Sequence, residues 1–370
     1  MNLIERIHAE IAHHGAITFA DYTQLALYTP NLGYYSAGLP KLGSQGDFVT
    51  APELSPLFGQ TLAHQCQQVL QTLSAPKLLE FGAGTGRLCV DLLQQLEKLA
   101  CLPEEYLILE VSNHLKQCQA ELIQQRIPHL ASKVRWLSAW PDVAFNGVVI
   151  ANEVLDAMPV HRFMQTDADL LESYIELTPH NDLQEVFKPC KNTRLRSHVN
   201  AALSPDLIPY LSEANLFLND WFVQCNAMLQ SGLMLVIDYG FPRHEYYHPD
   251  RKQGTLMCHY RHRAHPNPLL HVGEQDITAH VDFTHVAEAA FTAGFQVAGY
   301  TNQASFLLAN GLLTLLADII DEHERVQQQQ VVKQLLQPHE MGELFKVMAL
   351  TKNLDLTLTG FLLNDKRVSL

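Results

Sequence analysis

Residues 80–87 read EFGAGTGR and close the apolar run KLLEF (77–81) with three glycines spaced one apart. Glycine lets a backbone turn this tightly and approach a ligand closely. The segment that follows, LCVDLLQQLEKLA (88–100), has the apolar spacing of a helix, whose first N–H groups would point into the cleft. Strand, glycine turn and helix together make the opening unit of a parallel α/β sheet.

Outward from this unit the same rhythm continues. YLILEVS (106–112), KVRWLS (133–138), GVVIANE (147–153) and LMLVIDYG (233–240) are short apolar runs, separated by segments such as HLKQCQAELIQQR (114–126). Strands apolar throughout, alternating with amphipathic helices, predict βαβ units and a sheet covered on both faces, each crossover right-handed. Residues 161–230 break the rhythm as an insertion: LLESYIEL and LQEVFKP predict a hairpin, and PYLSEANLFLNDWFVQCNAML (209–229) a long helix. Beyond the fifth strand the expectation is a His-rich loop (254–281), a helix (282–293), a strand in FQVAGYTNQ, a helical stretch (305–337) and a last strand, FKVMALTK. Before the core, MNLIERIHAEI predicts an amphipathic helix, and Ser55 with Pro56 starts another. The expected division is an N-terminal cap or lid (1–72), a core (73–160 and 231–370) with a helical insertion (304–337), and an inserted substrate-side α+β segment (161–230).

Composition limits the function. The chain has 370 residues, is 47% hydrophobic and carries a formal charge of -14, which argues against neutralising nucleic-acid phosphates over a broad face and leaves cationic partners open. Seven cysteines without a CxxC pair fit neither a disulfide framework nor a zinc ribbon. No apolar run reaches bilayer length, and the N-terminus resembles neither a signal nor a transit peptide, so a cytoplasmic protein is expected.

Two ligand readings compete at the glycine turn. A dinucleotide fingerprint, G-x-G-x-x-G, would place a glycine where Arg87 stands, whereas G-x-G-x-G preceded by an acid suits S-adenosylmethionine. Gly82, Gly84 and Gly86 would then bind the donor, with Glu80 facing its cationic end. Glu110, at the tip of the next strand, is placed to accept the ribose hydroxyls. Ser138, Ala139 and Trp140 offer a surface for adenine, although Trp140 equally suits a core position. After the fourth strand, Asn152, Glu153 and Asp156 fall beside the donor; the acids match a cationic acceptor such as a guanidinium and could take the proton that leaves nitrogen on methylation. The plain alternative makes Asn152 a helix cap and Asp156 a solvated helical acid. His259, His262, His265, His271, His280 and Asp282 follow no compact metal-ligand spacing, and no metal is expected.

The chain resembles the MidA-like family of S-adenosylmethionine-dependent methyltransferases. The likeness spans nearly the whole chain and rests on ITFADYTQLALYTPNLGYYS (17–36), GDFVTAPELSPLFGQ (46–60), LLEFGAGTGRL (78–88), ANEVLDAMPVHRF (151–163), LVIDYGF (235–241) and GEQDITAHVDFT (273–284), in that order. Mitochondrial members act as respiratory complex I assembly factors and dimethylate an arginine. The resemblance implies a class I methyltransferase fold, with a Rossmann-like seven-strand sheet. It implies a lid of Gly46, Asp47, Phe48, Thr50, Pro52 and Glu53 over the donor, with Glu53 on the substrate side and Gln275, Asp276, His280 and Asp282 beside the active site as substrate or structural residues. Ala51 stands where many relatives have serine, which puts a hydroxyl contact there in doubt. The reading is thus transfer of methyl from S-adenosylmethionine to an arginine of a protein substrate, in the cytoplasm of a bacterium or the matrix for mitochondrial relatives, with a homodimer left open. Its rivals are a noncatalytic assembly factor that binds the donor, transfer to another nitrogen, and a nicotinamide oxidoreductase.

Overall fold

The computed structural model describes residues 1–37 and 50–370, so Gly46, Asp47 and Phe48 lie outside the described residues. Its central sheet uses β1 (Lys77–Phe81), β2 (Tyr106–Leu109), β3 (Val134–Leu137), β4 (Phe145–Asn152), β5 (Leu229–Phe241), β6 (Gln296–Asn302) and β7 (Phe345–Lys352). Their spatial order is β3-β2-β1-β4-β5-β7-β6. The first five pair parallel, and β7 runs antiparallel between β5 and β6. The two-residue strand Val281–Asp282 adds to the end of β5.

Alternate strand residues point to opposite faces, and the two sets fall into two cores. Leu78, Val148, Leu235 and Val347 pack under the helices Pro56–Leu70, Arg87–Lys98 and Glu322–Leu336. Leu79, Val149, Met234 and Met348 pack on the opposite side with Leu218–Met228 and Phe283–Thr292. This double covering is why the strands carry so few polar residues.

The crossover from β4 to β5 carries the insertion. Leu170–Leu177 and Leu183–Pro189 form the expected hairpin. The expected long helix over 209–229 is corrected: Tyr210–Ala214 is a strand paired with His161–Gln165, and only Leu218–Met228 is helical. The side chain of Asn215 accepts the N–H of Phe217 and shapes the turn between them. Ile17–Thr18, from the N-terminal segment, pairs with Leu170–Leu177, so cap and insertion share one sheet.

Two further expectations change. The His-rich segment is not a loop throughout: Met257–Tyr260 pairs with Arg263–His265 and with Asp276–Thr278. The stretch 305–337 is three helices, Gln303–Ala309, Leu312–Ala317 and Glu322–Leu336. Gly311, at φ +88°, ends the first of these continuities, a backbone state that glycine adopts without strain.

Candidate active site

The carboxyl ends of β1, β2, β4 and β5 open into one cavity of about 880 Å³. Ligands of open α/β sheets occupy this position because the strand-to-helix loops and helix N-termini converge there. Of the residues expected from sequence, Thr50, Glu53, Glu80, Gly82, Gly84, Glu110, Asn152, Glu153, Asp156, Asp276 and His280 line it, as does Trp140.

One wall is the glycine turn. Gly82 and Gly86 have φ of +59° and +90°. A Cβ on Gly82 would meet nothing within 4 Å, whereas one on Gly86 would lie 3.2 Å from Gln119, so the first keeps the wall open and the second admits close helix packing. Gly86 is therefore not itself among the lining residues. Glu80 is buried, accepts the Tyr106 hydroxyl at 2.6 Å, and has its carboxyl pushed up to about 7 by burial, against that hydrogen bond. The Glu110 carboxylate accepts the N–H of Ser112 at 2.9 Å and the Gln119 amide at 3.1 Å. Burial raises the pKa of this carboxyl, both bonds oppose that rise, and the remaining lone pairs suit a diol. Glu53 accepts the Thr85 hydroxyl, which places this acid on the glycine-turn side of the cavity.

The opposite wall is acidic. Glu153 continues from β4, its N–H bonded to the carbonyl of Ile237 at 2.9 Å, and then takes φ +53°. A left-handed glutamate costs energy and persists only where its surroundings dictate it. Burial, then the charge of Asp156, pushes the Glu153 carboxyl up to about 8. The Asn152 amide donates to Glu153 at 3.3 Å. Asp156 is buried, accepts the Tyr239 hydroxyl at 2.6 Å, and is raised to about 6 by burial, opposed by that bond. No helix begins here, so the capping and solvated-acid alternatives for Asn152 and Asp156 fall away. Among the described residues, neither Glu153 nor Asp156 makes an ion pair. Oδ1 of Asn152 and Oδ1 of Asp156 are buried without a donor.

The N-terminal cap completes this wall. Tyr35 donates to Asp276 at 2.6 Å and Tyr28 to the carbonyl of Ala157 at 2.9 Å. Gln275 does not join the lining residues; its buried amide donates to the carbonyl of Pro268 at 2.9 Å and braces that turn. His280 packs against Tyr239 and Phe241, and burial lowers its pKa to about 4.

Sequence reasoning missed Tyr28, Tyr35, Trp221, Tyr239 and Arg251, all of which line the cavity. Tyr28 and Tyr35 lie inside the 17–36 block, and Tyr239 follows an acid at the end of a core strand, a position that could have singled it out. Trp221 packs on Phe81 from a helix of the insertion, for which no local signal exists.

Fold and cavity together are those of an α/β enzyme with a ligand-sized cleft at its first strand-to-helix turn. The chain belongs to the family described as "Putative S-adenosyl-L-methionine-dependent methyltransferase", which matches residues 61–301, and its donor is S-adenosylmethionine. A crystal structure of a Burkholderia thailandensis protein bound to S-adenosyl-homocysteine is 41% identical, with a TM-score of 0.94 over 100% of this chain and 96% of that one. Mouse "Protein arginine methyltransferase NDUFAF7, mitochondrial" is 27% identical over 94% of this chain and 84% of its own length. The zebrafish protein of the same name is 28% identical, over 93% and 86%. No helix among the described residues is long and apolar enough to cross a membrane.

Proposed function

We propose that the protein transfers methyl groups to the guanidinium of an arginine presented by a protein substrate. One observation carries this reading: Asn152 and Asp156, both residues of the cavity wall, each hold a buried oxygen without a donor, beside a Glu153 that has no cationic partner among the described residues. A buried acceptor without a donor costs about 1–3 kcal/mol, so the wall is built for a ligand rich in N–H groups. A guanidinium brings five such donors in a planar fork together with the missing positive charge. The names of the mouse and zebrafish relatives support the same acceptor.

The donor residues would be Gly82 and Gly84 at the turn, Glu110 toward the ribose and Glu80 behind the turn, with Thr50 at the rim and Gly86 setting the helix behind it. Gly46, Asp47 and Phe48 belong to the same proposal as lid residues. S-adenosylmethionine supplies, when bound, a methyl group on a sulfonium that keeps the electron pair of the broken bond. On the acceptor side, Asp156 and Asn152 would orient the guanidinium and Asp276 would add charge. Glu153 would receive the proton lost as nitrogen gains its methyl group. A carboxyl held near neutral suits that task, because it can accept a proton and release it again. His280 would stand at the edge of this wall, Glu53 would face it from the glycine-turn side, and Gln275 would support it from behind.

Purified protein incubated with radiolabelled S-adenosylmethionine and a proteome from cells lacking it tests the reading. Methylarginine in acid hydrolysates is expected; label confined to other residues rejects the arginine acceptor.

A further inference from the structure

Near its carboxyl end, beside the acidic wall, strand β5 carries Asp238 and Tyr239, whose side chains leave the strand on opposite sides. Asp238 is fully buried. Its Oδ2 accepts the backbone N–H groups of Val154 at 3.2 Å, Leu155 at 2.9 Å and Asp156 at 3.3 Å, and its Oδ1 accepts that of Tyr239 at 2.9 Å. Three consecutive amides aimed at one oxygen fix the path of the bend that carries Glu153 and Asp156.

Tyr239 turns to the cavity instead. Its ring is wedged edge-on between His280, at 5.2 Å, and Phe345, at 5.5 Å, and its hydroxyl donates to Oδ2 of Asp156 at 2.6 Å. Oδ1 of the same carboxylate is the buried oxygen left without a donor. A carboxylate tied at one oxygen can rotate little, so its second oxygen has a defined direction.

We propose that Tyr239 is a positioning residue for the acceptor, holding Asp156 by one oxygen so that the other meets the incoming N–H, on a bend whose path Asp238 sets. This rests on the acidic wall being the acceptor site. Asp156 is also faced by Glu153 on its own loop, by Asp238 on β5 and by Tyr28 and Tyr35 from the cap, while Asp276 and His280, from the segment beyond β5, line the same cavity. Tyr239→Phe leaves all of these in place and removes one hydrogen bond to the charged form of Asp156.

The test uses the full chain saturated with S-adenosyl-homocysteine and labelled at aspartate carboxyl carbons, the Asp156 resonance being the one lost in Asp156→Asn. In Tyr239→Phe its titration midpoint is expected to rise by about one pH unit, the size of one charge-assisted hydrogen bond. With an arginine peptide pool as acceptor, kcat/KM should fall about tenfold and its acidic limb move up in step, while affinity for S-adenosyl-homocysteine stays within twofold. An unmoved midpoint overturns the proposal even if arginine is methylated. A shifted midpoint with no arginine methylation overturns the acceptor reading and leaves the hold of Tyr239 on Asp156 standing. Asp238→Asn is the second variant: a tenfold loss of kcat/KM with product affinity kept is expected, and an unchanged kcat/KM removes Asp238 from the proposal.

Discussion

Gln119 donates its side-chain amide to the carboxylate of Glu110 at 3.1 Å and, through the same nitrogen, to the carbonyl of Gly84 at 2.9 Å. Its oxygen receives the indole N–H of Trp136 at 2.8 Å. One buried amide thus joins the glycine turn, the acid at the tip of β2 and the strand β3. Gln119→Ala would leave the Glu110 carboxylate short of a donor and the Trp136 N–H without an acceptor. Because a hydrogen bond to a charged group contributes about 1.5–3 kcal/mol, affinity for S-adenosyl-homocysteine should fall by about tenfold or more. Titration calorimetry measures it, and an unchanged dissociation constant would separate Glu110 from the donor.

The first and last glycines of the turn should respond differently. Gly86→Ala places a methyl group 3.2 Å from Gln119 on a backbone at φ +90°, so the cost falls on folding, at about 1–2 kcal/mol or more. Gly82→Ala meets open space in the protein, although φ +59° still strains it. Its methyl group enters the cavity, so the ratio of lost donor affinity to lost stability should be larger for Gly82→Ala. Thermal melting beside calorimetry decides between the two patterns.

Glu153→Gln should keep donor affinity and lower kcat by about 10²–10⁴, the range of a lost general base. Full activity in this variant would remove Glu153 from proton transfer.

The same carboxyl sets a pH dependence. With Glu153 held near 8 in the free site, a cationic peptide binds the ionised form, so peptide affinity should strengthen as pH rises toward 8 and level off above it. In Glu153→Gln this slope should flatten, as read by fluorescence polarisation of a labelled arginine peptide between pH 6 and 9.

Glu80 affects stability with the opposite sign to an ordinary ion-paired acid. Its carboxyl is raised from 4.5 to about 7, mainly by burial, so the folded state binds more protons than the unfolded chain between those values. Stability from this group is present below the unfolded pKa and is lost as pH climbs through 7. Glu80→Gln should therefore gain on the wild type between pH 4.5 and 7.5, by about 3 kcal/mol at most. Urea unfolding at the two pH values checks this, and a pH-independent difference would contradict it.

The central strands and the glycine turn were legible because their signals are local. KLLEF, YLIL and GVVIA are buried on both faces, which leaves no polar alternation to confuse their reading. The segment 209–229 misled because YLSEA has too few residues to show a period of two beside the helical LNDWFVQCNAM, and a strand there depends on its partner His161–Gln165. The histidines of 259–265 suggested a loop for a related reason: polar residues on short strands carry no apolar pattern, and pairing with Asp276–Thr278 is a distant event.

By itself the sequence determined a parallel sheet with a glycine turn after its first strand, and it brought Glu110, Asn152, Glu153 and Asp156 to strand ends, because each follows an apolar run that must be a buried strand. Tertiary structure alone decided which hydroxyls tie which acids. Tyr35 reaches Asp276 across 241 residues of chain and Tyr239 reaches Asp156 across 83. Such contacts form only when cap, insertion and core close on one cavity, and side-chain packing between distant segments leaves no periodic trace in either of them.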